Sequence, residues 1–220
     1  MRNHERHTPF NATAAHTKGN IMQTSHTTAS TTVTGSLARR ALAASWKPVL
    51  FAVLLWLSAA AGEIPIPGTP VPITLQTFVV MLAGLMLTWR QAGSALALYI
   101  AAGAIGLPVF AGGASTMALV GPSAGFIFGF LPGVVAIALL RGKADTSSAA
   151  RVALTFGRYL FAAIIGGVAV VYAFGFLVQS ALTGAPIAAV ALASMGFVAG
   201  DAVKAVVAAL AAAGLTKLSR

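Results

Sequence analysis

The sequence predicts an all-α, polytopic membrane protein: a compact bundle of six transmembrane helices with both termini cytoplasmic. Three observations lead there. The 220 residues are 58% hydrophobic with a mean hydropathy of +0.87, and 8% are charged, against roughly 25% in soluble domains. Residues 91–140 and 159–200 contain no Asp, Glu, Lys or Arg. Apart from Lys204, the basic residues fall in or near alternate connections and the two termini. Such a composition excludes an ordinary soluble domain and, for most of the length, a disordered chain. The absence of cysteine excludes a disulfide framework, a thiolate nucleophile and cysteine-held metal clusters.

A spanning helix needs about 20 mostly apolar residues. The spans are expected at about 46–63, 73–89, 91–107, 122–140, 156–178 and 196–216. Residues 46–216 form the membrane domain. Residues 1–45 are expected to be a disordered polar tail, and 217–220 a short basic C-terminus. All four histidines lie in the tail, at irregular spacing that suits no metal site. Met22 is a candidate translation start.

Orientation follows from the positive-inside rule. Arg39, Arg40 and Lys47 precede the first span; Arg90 follows the second; Arg141, Lys143 and Arg151 follow the fourth; Lys217 and Arg220 end the chain. The alternate loops, 64–72, 108–121 and 179–195, carry no Lys or Arg. The net charge of +10 is therefore topological and calls for no nucleic-acid partner. A competing reading takes Arg39 through Gly62 as a cleavable secretory signal, which would leave five spans.

The outer loops are unusual. Pro65, Pro67, Pro70 and Pro72 stiffen the first and forbid a helix there. The second, 108–121, is apolar and glycine-rich, as expected of a loop folded over the membrane domain. Three rows of small residues, Gly125–Gly129–Gly133, Ala205–Ala209–Ala213 and Gly93–Ala97–Ala101, mark expected helix-packing faces.

Ionisable residues inside a bilayer are costly. Glu63 and Arg158 sit at span ends, where snorkelling explains them. Asp201 and Lys204, three apart on one face of the last span, form the candidate site. An ion pair kept only to ease insertion is the plainer alternative. No serine–histidine arrangement, second carboxylate near Asp201, or phosphate-binding loop accompanies them. No catalytic residue and no resident cofactor is expected, and ATP hydrolysis would belong to other subunits.

Four ordered motifs carry a family resemblance: Pro70 through Thr77 (PVPITLQT), Tyr99 through Gly113 (YIAAGAIGLPVFAGG), Gly121 through Phe126 (GPSAGF), and Gly200-Asp201 with Lys204. Over 46–216 the sequence resembles BioY, the biotin-specific S component of energy-coupling-factor (ECF) transporters. The resemblance implies a bacterial inner-membrane subunit that takes biotin as substrate at its outer face. It implies a transmembrane T component and two ATPase subunits as partners, or a homo-oligomer where a chain works alone. Phe126 stands where the family commonly has tyrosine, which removes one hydroxyl. Ala41 and Ser45 are the nearest residues to a T-docking pattern.

Biotin's ureido ring needs donors and acceptors, its thiophane body apolar walls and its carboxylate a cation. Asp201, Lys204, Gln76 and Thr74 offer the hydrogen bonds; Tyr99, Phe110, Gly112 and Gly113 offer lid and walls. The alternatives are an S component for another vitamin, or an intramembrane enzyme using Asp201.

Overall fold

The computed structural model describes residues 46–218, which lie within one compact unit. The expected tail, including the histidines, Ala41 and Ser45, lies outside the described residues. The described chain is all-helical, with one isolated antiparallel bridge between Ile64 and Ile73. Eight helices follow in order: α1 (Trp46–Ala60), α2 (Gln76–Met86), α3 (Trp89–Ala104), α4 (Ala124–Leu140), α5 (Ala149–Ala163), α6 (Val171–Thr183), α7 (Ile187–Ala193) and α8 (Met195–Leu218).

Local chemistry sets several boundaries. Thr88 and Gln91 form a reciprocal capping box that starts α3 immediately after α2. The Ser148 side chain accepts from Arg151 N to begin α5. Gly184, with φ of 71°, ends α6 in the left-handed region.

Helices α5 and α6 form one continuous 35-residue run, Ala149–Thr183, joined through a π-helical turn at Ile164–Val170. The expected span 156–178 is the centre of this longer helix. The turn lies where Gly166 crosses α4: a Cβ on Gly166 would come within 2.5 Å of the Gly133 carbonyl oxygen. Two helices, Ala149–Thr183 and Met195–Thr216, are long and apolar enough to cross a membrane.

Helix α2 is shorter than expected. It has 11 residues and begins at Gln76, because residues 64–75 run as an irregular, proline-bearing segment pinned by the Ile64–Ile73 bridge. Helix α7 occupies part of what the sequence reads as loop; Pro186 immediately precedes its first residue, where a missing N–H costs nothing.

The small-residue rows divide. Gly125 and Gly129 press against the α6 backbone, with built Cβ positions 2.5 Å from the Phe174 carbonyl oxygen and 3.1 Å from Val171 Cα, respectively. Ala205, Ala209 and Ala213 are buried with Tyr159, Ala162 and Ala163 of α5. The third row does not pack as expected. Ala97 and Ala101 are exposed, and α3 instead buries Ala92, Ala95, Leu96, Tyr99 and Gly103. Alanine is equally at home on either face, so its spacing carried no direction.

The exterior is apolar: Leu50, Val53, Leu98, Phe161, Leu177, Val203 and Leu210 are all exposed. Basic side chains tie the α4–α5 connection together. Arg141 donates to the carbonyls of Leu85 and Leu87, and Arg158 donates to those of Arg141 (2.7 Å) and Lys143 (3.1 Å). Arg158 thus holds this loop in place.

Candidate ligand-binding site

Three elements converge on a buried charged centre. Helix α8 supplies Asp201 and Lys204, whose side chains meet at 2.8 Å. The start of α2, with the residues just before it, supplies Thr74, Gln76 and Thr77. Helix α6 supplies Tyr172. The chain is irregular up to Thr74, whose backbone carbonyl faces Lys204 Nζ at 2.7 Å.

Every polar arm of the pair is engaged. Asp201 Oδ1 accepts from Thr77 Oγ1 and Lys204 Nζ, both at 2.8 Å, and Oδ2 accepts from the Tyr172 hydroxyl at 2.8 Å. Lys204 Nζ also donates to the Thr74 carbonyl at 2.7 Å and to Thr77 Oγ1 at 3.0 Å. The ammonium has three protons and three acceptors. Charges this deep survive because each is paired and hydrogen-bonded.

Gln76 leads a second chain. Its Oε1 accepts from Thr74 Oγ1 at 3.0 Å, its Nε2 donates to the Tyr99 hydroxyl, and Tyr99 donates to the Val109 carbonyl at 3.0 Å. Tyr99 packs edge-on against Phe110, with ring centroids 5.2 Å apart. A side chain at the binding centre is thereby linked to the loop that follows α3.

Two chambers adjoin this centre. The inner one, about 70 Å³, has Asp201, Lys204, Thr74, Thr77 and Gln76 on its polar side. Phe126, Phe130, Tyr172 and Phe197 form its aromatic side. The outer one, about 430 Å³, is bounded by the proline segment and the loop after α3, and includes Glu63, Phe110 and Met117. Pro72, Gln76, Ala111, Ser123 and Ile127 line both. These five residues form the border common to the two chambers.

Of the sequence candidates, Asp201, Lys204, Thr74 and Gln76 line the inner chamber. Tyr99 stands behind Gln76, and Phe110 lines the outer chamber. Gly112 and Gly113 line neither; both have positive φ, 64° and 73°, and shape the loop through backbone conformation. Sequence reasoning missed Thr77 and Tyr172. It discounted Phe126 for its lost hydroxyl, yet that ring packs edge-on against Tyr172, Phe176 and Phe197. Glu63 lines only the outer chamber, so among the described residues no second acid faces Asp201 for acid–base chemistry.

The fold is shared with a solved protein, described as the S-component for biotin from an ECF-type ABC transporter. The TM-score is 0.73 at 24% identity, over 81% of this chain and 93% of that one. The model of the BioY family matches residues 26–220. The chain belongs to the BioY family. Its BioY relatives include the biotin transporter BioY of Rhizobium etli, 36% identical over 73% of this chain and 86% of the relative. Another is the biotin transporter BioY of Thermotoga maritima, 39% identical over 74% of this chain and 90% of the relative. The apolar exterior and the BioY assignment together make this a membrane protein of a transporter family, not an enzyme.

Proposed function

We propose that this chain captures biotin at the outer face of a bacterial inner membrane for uptake. In this reading it has no ATPase activity of its own and is powered by a T component and two ATPase subunits of an ECF module. The observation that carries it is the chamber pair: an aromatic inner chamber around the ion-paired Asp201 and Lys204, bordered by a wider outer one that shares Pro72, Gln76, Ala111, Ser123 and Ile127 with it. The BioY relatives supply the substrate.

The six-span reading with both ends inside assigns α1, α2, α3, α4, the α5–α6 run and α8 to the spans. The proline segment and the loop after α3 are then on the outer side, with the outer chamber. Arg141 and Arg158 are on the cytoplasmic side, as the positive-inside rule requires.

The inner chamber carries one acid and one base, so a neutral group with both donors and acceptors suits it better than an anion. We assign it the ureido end of biotin. Ureido N–H groups would donate to Asp201 Oδ2, and the ureido oxygen would accept from the second proton of Gln76 Nε2. The thiophane ring would pack on Phe126, Phe130 and Phe197, and the valerate would run outward past the residues common to both chambers. The Tyr99–Phe110 contact then holds the loop over the entrance.

Calorimetry on folded, detergent-solubilised protein without ATP tests this directly. Saturable biotin binding is expected, and competition by other unlabelled vitamins should be weak. Absence of biotin binding overturns the reading. Biotin uptake in cells with and without a T component separates the partnered arrangement from a homo-oligomer acting alone.

A further inference from the structure

The outer chamber has a charge that the biotin reading does not use. Glu63 lines it, and among its described lining residues no lysine or arginine is present; Thr69, Gln76 and Ser123 supply the other polar side chains. The Glu63 carboxylate lies against the loop after α3: a Cβ built on Gly112 would be 3.4 Å from each of its oxygens. Glu63 makes no hydrogen bond or ion pair with any described residue, and it is exposed. An anionic end entering here therefore meets another anion and finds no cation. The cation of the adjoining inner chamber, Lys204, has all three protons engaged.

Space points the same way. The outer chamber, at about 430 Å³, is several times the volume of the inner one at about 70 Å³. A ligand whose ring system occupies the inner chamber therefore projects its tail into a volume larger than a carboxylate fills.

We propose that the outer chamber is a second subsite, with Glu63 as its specificity-determining residue. It accepts biotin carrying an amide-linked tail and favours a cationic tail over a neutral one. The class of ligand is a biotin carboxamide bearing a primary ammonium, as in biotin joined to a short diamine or to lysine. The inference rests on the biotin reading above.

Three ligands test it: biotin, biotinamide, and biotin amidated with ethylenediamine. Each is titrated into wild-type protein, E63Q and E63K at low and high salt. The carboxylate is exposed, so the expected effect is modest and screened by salt. In wild-type protein at low salt the ethylenediamine amide should bind about threefold to tenfold tighter than biotinamide. E63Q should abolish that preference, and E63K should reverse it and favour biotin. If biotin binds while both amides fail, or if the two amides bind equally to wild-type protein, the second subsite is overturned and the biotin reading stands. If the preference survives E63Q, Glu63 is not its source and the assignment fails. If none of the three binds, the biotin reading itself falls and takes this inference with it.

Discussion

The hydroxyl of Tyr172, on α6, donates to Asp201 Oδ2 on α8 across 2.8 Å, although 29 residues separate them in sequence. This bond closes the donor set around a carboxylate that, among the described residues, has no charged partner besides Lys204. Tyr172 also contributes its ring to the aromatic side of the inner chamber. It therefore joins the polar and apolar halves of the site in one side chain.

Tyr172→Phe keeps the ring and removes the donor. A buried acceptor left without a partner costs about 1–3 kcal/mol. Biotin affinity measured by calorimetry should fall about fivefold or more, and the melting temperature should drop. An unchanged affinity would mean that Asp201 Oδ2 does not depend on this bond for its position.

Asp201→Ala or Lys204→Ala each strands a buried charge. Either should weaken biotin binding by at least about 2 kcal/mol, about thirtyfold in Kd. The double variant should cost less than the sum of the two, because it leaves no lone charge behind. Near-unchanged Kd values in both single variants would reduce the pair to a structural one.

Tyr99→Phe tests the chain from Gln76 to the loop. It removes the acceptor of Gln76 Nε2 and the donor to the Val109 carbonyl while keeping the edge-on contact with Phe110. Affinity should fall by about 1 kcal/mol, with faster biotin release in stopped-flow chase. An unaltered release rate would disconnect the loop from the binding centre.

The α4–α6 contact is tested with two alanines. Gly125→Ala would bring a Cβ within 2.5 Å of the Phe174 carbonyl oxygen and 3.0 Å of Gly175 Cα. Backbone cannot turn aside, so a loss of about 1–3 kcal/mol is expected. Gly157 on α5 has nothing within 4 Å of its built Cβ. Gly157→Ala should stabilise by about 0.5–1 kcal/mol. Thermal unfolding in detergent reads both, and equal shifts would contradict the packing described here.

The parts of this site that were legible in sequence share a property: they are locally encoded. Asp201 and Lys204 stand out because charge is rare in this chain, and their spacing of three places them on one helical face. Gln76 and Thr74 fall within a motif. Thr77 belongs to the same motif, and its position three beyond Thr74 could have flagged it. Tyr172 carries no such signal, since an aromatic residue in an apolar span is ordinarily core. Only the tertiary fold, which brings its hydroxyl within 2.8 Å of Asp201 Oδ2, makes it a donor. Helix boundaries failed for a related reason: apolar content marks membrane depth but does not distinguish helix from the irregular segment before Gln76. Glycine rows on α4 were informative because a missing Cβ permits close approach, whereas the alanines at 97 and 101 record composition alone.

Thr74 meets Lys204 through its backbone carbonyl, and its side chain points its hydroxyl to Gln76 instead. This tie between the mouth of the site and its floor is therefore silent to side-chain replacement at its loop end. Selection at position 74 can act on the link to Gln76 while the carbonyl persists through any substitution that preserves the local turn. Variation in the mouth and constancy in the floor are compatible for this reason, and a mutational scan of the loop would underreport how firmly it is anchored.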